Sequence, residues 1–352
     1  MNTNASYIAA AFLLIVCLDL ASVHQCTAQG ESWDGVIQAA KKESKVVIYA
    51  TAGWERGFEK GIEIFAKKYG IKVEPLYLRA REAYTRVNTE RRAGRQAADV
   101  IAVGDTTIAS LWQGGGLEHW LPPSIKQIRS EVAELADLPR LPITPAQMNL
   151  YGIFINTRLS PAGREPKCWR DLLDPSWRGK ITMDDPRAPG AGYTWFISTL
   201  GHPELGDAFH HKLAQNKPFI VTGGGSNELQ MAVVNGQFAI GIPVNTEAIP
   251  TSKGVPAKWI AACEGLYYSL NSAGLIKGAP HPNAAKLWLD LLLSEDVQRI
   301  VGEMRTPVRK GIPTARPEWS LDNAKLLRRP LVETPEQRDK IYRLADKIYG
   351  AR

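Results

Sequence analysis

The sequence predicts an α/β protein of two lobes connected more than once. Three observations carry that expectation: a length of 352 residues, a regular alternation of strand-like and helix-like segments, and a fresh start of that alternation after a proline-rich passage. A chain this long exceeds one ordinary core and suits two. "KVVIYA" (45–50) is a near-continuous apolar run of the kind a buried parallel strand needs. "ERGFEKGIEIFAKKYG" then places apolar residues at helical spacing and stops on Gly70. "IKVEPLYL" reads as a second strand, "EAYTRVNTERRAGRQ" as a helix ending near Gly94, and "ADVIAV" as a third strand. Strand–helix–strand connections of this sort imply right-handed crossovers and a parallel sheet.

The prolines between Leu121 and Pro145 interrupt the pattern. Beyond them "YGIFIN" and "KITMDD" read as strands, "GYTWFISTL", "PELGDAFHHKLAQ" and "NELQMAVVNG" as helices, and "FAIGIP" closes that unit as a strand. "YYSLNSAGLIKG" is a long strand, followed by a helical stretch from His281 that breaks near Ser294. The tail is helical from Thr334, with Thr334 as N-cap and Pro335 at the first helical position. No internal repeat or low-complexity tract interrupts the chain.

Hydrophobic residues make up 44% and charged residues 22%, a folded rather than a disordered composition. The apolar run "YIAAAFLLIVCLDLAS", followed by small residues at Cys26-Thr27-Ala28, reads as an export signal spanning 1–28, although "MNTNAS" brings no Lys or Arg to it. Its removal takes away one acid, Asp19, and no base, so the net charge of +7 becomes +8. Cys168 and Cys263 then remain, at a spacing that matches no metal motif, and are expected as two unpaired buried thiols. His202, His210 and His211 are expected on an exposed helical surface. The arginines of "RAREAYTRVNTERRAGR" spread around a helix with Glu82 and Glu90 between them, the pattern of a solvated face rather than of a nucleic-acid stripe. No Walker lysine, Gly-x-Ser-x-Gly elbow, His-Glu-x-x-His or Cys-x-x-Cys occurs, and nothing assembles a nucleophile, a base and an orienting acid. The expectation is a binding protein without a catalytic group or cofactor.

Five segments in order, "KESKVVIYA", "TERRAGRQAADVIAVGD", "YGIFINTRLSP", "CWRDLLDPSWRGKITMDDPRAPGAG" and "KGAPHPNAAKLWLDLLLSEDVQ", resemble the extracellular solute-binding proteins of ABC importers, in the branch associated with ferric-iron uptake. The resemblance implies a class II periplasmic binding protein fold, with a ligand cleft between lobes joined by crossing strands. "YGIFIN", "YYSLNSAGLI" and the region of "TPVRKG" would be the crossings. Lobe one would comprise 30–150 with 270–308, and lobe two 151–269 with 309–352. It further implies a periplasmic monomer that hands a small solute to a membrane permease.

Ligands of open α/β sheets bind beyond the carboxyl ends of strands, where helix N-termini offer unpaired N–H groups. "MDDPRAPGAG" has that form: Asp184 and Asp185 end a strand, Gly190 and Gly192 let backbone come close, and Arg187 offers a forked donor pair. The two acids are read as supports, capping a helix and holding Arg187. "TGGGSNE" repeats the design with Gly224, Ser226 and Asn227. From the first lobe Thr51, Gly53 and Trp54 follow the first strand, Arg81 the second, and Asp105 and Thr106 the third, with Asp105 read as a helix cap. Trp54 is open to two roles, stacking on a ligand or covering a helix start. Where ferric-binding relatives place a neighbouring pair of tyrosines, this chain has Val244, Asn245, Thr246 and Glu247. A trivalent cation wants anionic oxygen ligands, so the expected solute is a small anion, with ferric iron and a synergistic anion as the alternative.

Overall fold

The structure is a computed structural model that describes residues 32–350 except 52–53, 139, 161–162, 189, 223–224, 249–253, 323 and 330–333. The expected export signal, Gly53 and Gly224 lie outside the described residues. Ser32 accepts from the Gly35 amide and starts α1 (Trp33–Glu43), a helix the sequence reading passed over. β1 (Lys45–Thr51), α2 (Glu55–Tyr69), β2 (Lys72–Leu78), α3 (Ala80–Arg92), β3 (Val100–Gly104) and α4 (Asp105–Gln113) follow as strand–helix units. Gly70 stops α2 in the left-handed region at φ 70°, where a side chain would be strained. β1 lies between β2 and β3 and runs parallel to both. α5 (Ser130–Leu135) leads to β4 (Thr144–Asn156), a strand of 13 residues. This strand begins at Thr144 rather than at Tyr151, because a bulge between Pro145 and Gln147 absorbs the proline that otherwise signals a loop.

The second half contains β5 (Ile181–Asp184), α6 (Ala191–Leu200), α7 (Gly206–Gln215), β6 (Phe219–Val221), α8 (Gly225–Val234), β7 (Ile240–Asn245) and β8 (Ala257–Ile260). β9 (Tyr267–Leu275), α9 (Pro282–Leu292), α10 (Glu295–Gly302) and β10 (Thr306–Pro307) follow. The expected break at Ser294 is the N-cap of α10, its hydroxyl accepting from Val297 N. α11 (Pro335–Tyr349) opens on a capping box between Thr334 and Gln337. Among the described residues, no helix is long and apolar enough to cross a membrane.

The strands form one sheet in the order β2-β1-β3-β9-β4-β7-β5-β6, with β8 and β10 also paired to β4. Register decides where its two halves meet. β3 ends at Gly104 opposite Asn271 of β9, which lies opposite Gln147 of β4. β7 ends at Asn245 opposite Tyr151 of β4. The carboxyl ends of the two half-sheets therefore point at each other along β4, four residues apart, or roughly 13 Å at the rise of a strand. Large cores flank this gap on one face. One contains Trp54, Phe58, Phe65 and Trp288 together with Ala146 and Ala273; the other contains Trp169, Trp195 and Phe209 together with Tyr151 and Tyr267.

Two expectations about single residues are overturned. Cys168 and Cys263 form a disulfide with Cα atoms 4.7 Å apart. Cys263 N donates to Lys167 O, and Glu264 accepts from the amides of Trp169 and Arg170, so the two loops are already held side by side. His210 is fully buried rather than exposed, because α11 covers it. Its ring nitrogens meet the Thr199 hydroxyl at 2.7 Å and the Tyr349 hydroxyl at 2.8 Å. Burial, with the nearby His211 charge, pushes His210 down to about 3.

Two outcomes follow for unfolding experiments. Reducing the disulfide, which closes a sequence separation of 95, should cost about 2–5 kcal/mol in a urea titration, and Cys263→Ser should become indifferent to reductant. His210 is neutral when folded and takes a proton near pH 6.5 when unfolded, so its contribution is present above pH 6.5 and drains away as pH falls towards 3. The full loss is on the order of 4–5 kcal/mol, and His210→Gln should flatten that limb of the stability–pH curve.

Candidate functional site

Directly opposed residues of an antiparallel pair share a face. Gln147, Asn149 and Tyr151 of β4 therefore lie on one face with Asn271, Ser269 and Tyr267 of β9. The alternate residues Met148, Leu150, Tyr268 and Leu270 enter an apolar cluster on the other face. Between the two large cores the sheet thus presents a polar floor at the level where the strand ends converge. Tyr151 and Tyr267 stack at 4.5 Å between centroids, and Ser269 and Asn149 bond the Tyr151 hydroxyl. Two buried floor atoms, Gln147 Nε2 and Asn149 Oδ1, have no hydrogen-bond partner among the described residues. Sequence reasoning missed this floor, although "QMNLY" and "YYSLN" carry it as a period of two.

An ion pair stands at each edge of the floor. On the β9 side, Asp105 at the start of α4 accepts from Leu270 N at 3.1 Å and from Arg329 Nη2 at 2.6 Å. Arg329 arrives from a tail segment whose Leu326 bridges Leu266, and its guanidinium lies 5.4 Å from the centre of the Tyr268 ring. On the β4 side, Glu247 follows the end of β7 and meets Arg305, the residue before β10, at 2.5 Å. Gly104 rather than Asp105 holds the N-cap position of α4, yet Asp105 Oδ1 accepts from the first-turn amide of Thr106 at 2.8 Å while Oδ2 is turned to Arg329.

The acidic pair behaves as expected, and the glycines beside it do not. Asp185 accepts from Arg187 N, Nε and Nη2 and from the Thr222 hydroxyl. Burial would raise its carboxyl, but these donors outweigh burial and hold it below the usual range. Arg187 also donates to Gly350 O, so each of its side-chain nitrogens is committed within the protein. The forked pair expected for a ligand is spent on Asp185 and the end of α11. Asp184 accepts from Gly192 N at 2.6 Å and from the amide of Gly225, which places its carboxylate at the first turns of α6 and α8. Burial raises it. A Cβ on Gly192 would come within 2.4 Å of Asp184 O, so this glycine lets the helix close on its own strand rather than on a ligand.

The remaining candidates separate. Ser226 Oγ accepts from Asn245 N at 3.1 Å, so these two are brought together, while Asn227 is exposed at the start of α8. Thr51 ends β1 at intermediate exposure. Trp54 is buried in the first core against Phe58 at 4.4 Å, which makes it core rather than a surface stacking platform. Arg81 lines a groove of about 500 Å³ on α3 with Arg79, Thr85, Arg86 and Thr89. Among the described residues, neither α2 nor α3 has a side-chain cap at its start.

Comparison with known proteins places the chain. The model of the bacterial extracellular solute-binding protein family matches residues 46–304. The chain belongs to this family. A periplasmic protein of Salmonella typhimurium named for 2-aminoethylphosphonate binding is 24% identical over 301 residues, covering 81% of this chain and 85% of that one. AfuA of Actinobacillus pleuropneumoniae, solved with fructose-6-phosphate, superposes with a TM-score of 0.67 at 21% identity over 88% of this chain and 99% of its own. Apo ferric ion-binding protein A of Pasteurella haemolytica gives 0.71 at 18% identity, with the same coverage of 88% and 99%. The fold is therefore that of periplasmic binding proteins, with a cleft between lobes joined by β4 and β9, and the chain is a solute-binding component of ABC transport.

The pair at the β9 edge is open to direct measurement. Arg329→Met should cost about 3–5 kcal/mol by leaving Asp105 buried without its partner. Adding Asp105→Asn should recover part of that loss, and additive losses in the double-mutant cycle would remove the coupling.

Proposed function

We propose that the chain is a monomeric periplasmic receptor that captures a small anionic solute over the polar floor and delivers it to a membrane permease. One observation carries the reading: the register of β4 and β9 turns the ends of β3 and β7 towards each other on either side of the polar floor. In this reading the lobes are 30–150 with 270–308 and 151–269 with 309–352, and residues 1–28 direct export. A solute touching both lobes closes them by its greater affinity for the closed state.

The anion preference rests on the net charge of +7 and on the donors still open near the cleft. The second half places its own carboxylate, Asp184, at the starts of α6 and α8, and Arg187 is engaged by Asp185. Among the described residues, α2 and α3 start without a side-chain cap; in this reading Thr51 and Arg81 of the first half and Ser226, Asn227 and Asn245 of the second supply donors to the solute. The phosphonate named for the Salmonella relative is of the same chemical class. Ferric capture asks for several anionic oxygen ligands, and the positions that follow β7 here are Thr246 and Glu247 rather than a tyrosine pair.

A thermal-shift titration against phosphonates, phosphate esters, carboxylates and ferric salts checks the reading. A bound anion at a hundred times its dissociation constant should add about 2.7 kcal/mol, and small-angle scattering should show the chain contract. A ferric charge-transfer band with no response to anions alone would replace this reading with iron capture.

A further inference from the structure

Resting on the receptor reading, we propose that the solute carries an uncharged hydrogen-bonding group, a hydroxyl or an amide, that Gln147 and Asn149 recognise. The charged side chains nearest the floor already have partners: Asp105 with Arg329, Glu247 with Arg305, and Asp185 with Arg187. Asp184 is satisfied by backbone amides. A neutral group seated on the floor leaves all of these pairs in place. What the floor lacks is one acceptor for Gln147 Nε2 and one donor for Asn149 Oδ1.

These two atoms belong to residues two apart on one strand face, so their Cα atoms stand about 6.5–7 Å apart. Gln147 is only 4% exposed, so solvent does not satisfy its amide freely. A hydroxyl or an N–H/C=O group accepts and donates at once, which is the complement of this pair. Asn149 is held from behind by the Tyr151 hydroxyl, and Tyr151 by its stack on Tyr267. The reader is thereby fixed before the solute arrives. Ser269 and Asn271, opposite on β9, extend the same uncharged surface for a second hydroxyl.

The experiment compares matched pairs of equal charge by calorimetry: glycerol 3-phosphate against propyl phosphate, and 3-hydroxybutyrate against butyrate. The wild-type chain should bind the hydroxylated member of at least one pair roughly 10- to 100-fold more tightly, because its analogue leaves the buried amides unpaired. Gln147→Met and Asn149→Leu should each reduce that preference to less than about threefold; either variant alone suffices if the other does not fold. Equal binding of both members, or a preference that survives both substitutions, overturns the inference and leaves the receptor reading standing. A wild-type chain that binds neither member of either pair, nor any anion of the thermal-shift panel, overturns the receptor reading and this inference with it.

Discussion

The antiparallel pairing of β4 with β9 is the constraint on which the rest of the structure depends. β9 borders the first half-sheet at β3 and β4 borders the second at β7, so the register of this pair decides which strand ends meet. A slip of one residue would turn Gln147, Asn149 and Tyr151 into the apolar cluster and bring Met148 and Leu150 to the floor. Met148, Leu150, Tyr268 and Leu270 are each almost wholly buried on the far face, which makes such a slip costly. The apolar side of the pair thus holds the polar side in position.

Charge around the floor follows one rule: nearly every ionised group is answered from within the chain. Helix starts that could serve a ligand are in part used by the protein's own carboxylates. Asp184 lies at α6 and α8, and Asp105 stands at the head of α4 but is directed to Arg329. A carboxylate placed there neutralises the dipole of its helix and satisfies orphan amides, which stabilises the lobe. The consequence for binding is division of labour. Open donors lie towards the first half, and the floor itself is left to uncharged groups.

The ion pairs at the two edges also couple distant parts of the sequence. Asp105 and Arg329 are 224 residues apart, and Arg187 reaches Gly350 across 163. Together with the His210–Tyr349 contact, these bonds fasten the C-terminal segment to both halves of the sheet. The tail therefore belongs to the binding architecture and is not an appendage. Arg329 owes its burial to that return of the chain.

The sequence by itself determined the elements and the class. Apolar runs such as "KVVIYA", the stop at Gly70, and the caps at Ser294 and Thr334 are written in neighbouring residues, because hydrophobic period and capping act over one or two turns. The supporting role of Asp184 and Asp185 was legible for the same reason, each acid lying a few residues from what it holds. Only the tertiary structure decided that Arg187 turns to Gly350, that Cys168 meets Cys263, that α11 buries His210, and that Trp54 enters a core. Each of those depends on a partner more than ninety residues away or on a core assembled from both ends of the chain. The floor lies between the two cases. Its alternation is visible in "QMNLY" and "YYSLN", but only pairing across β4 and β9 shows that both polar rows share a face.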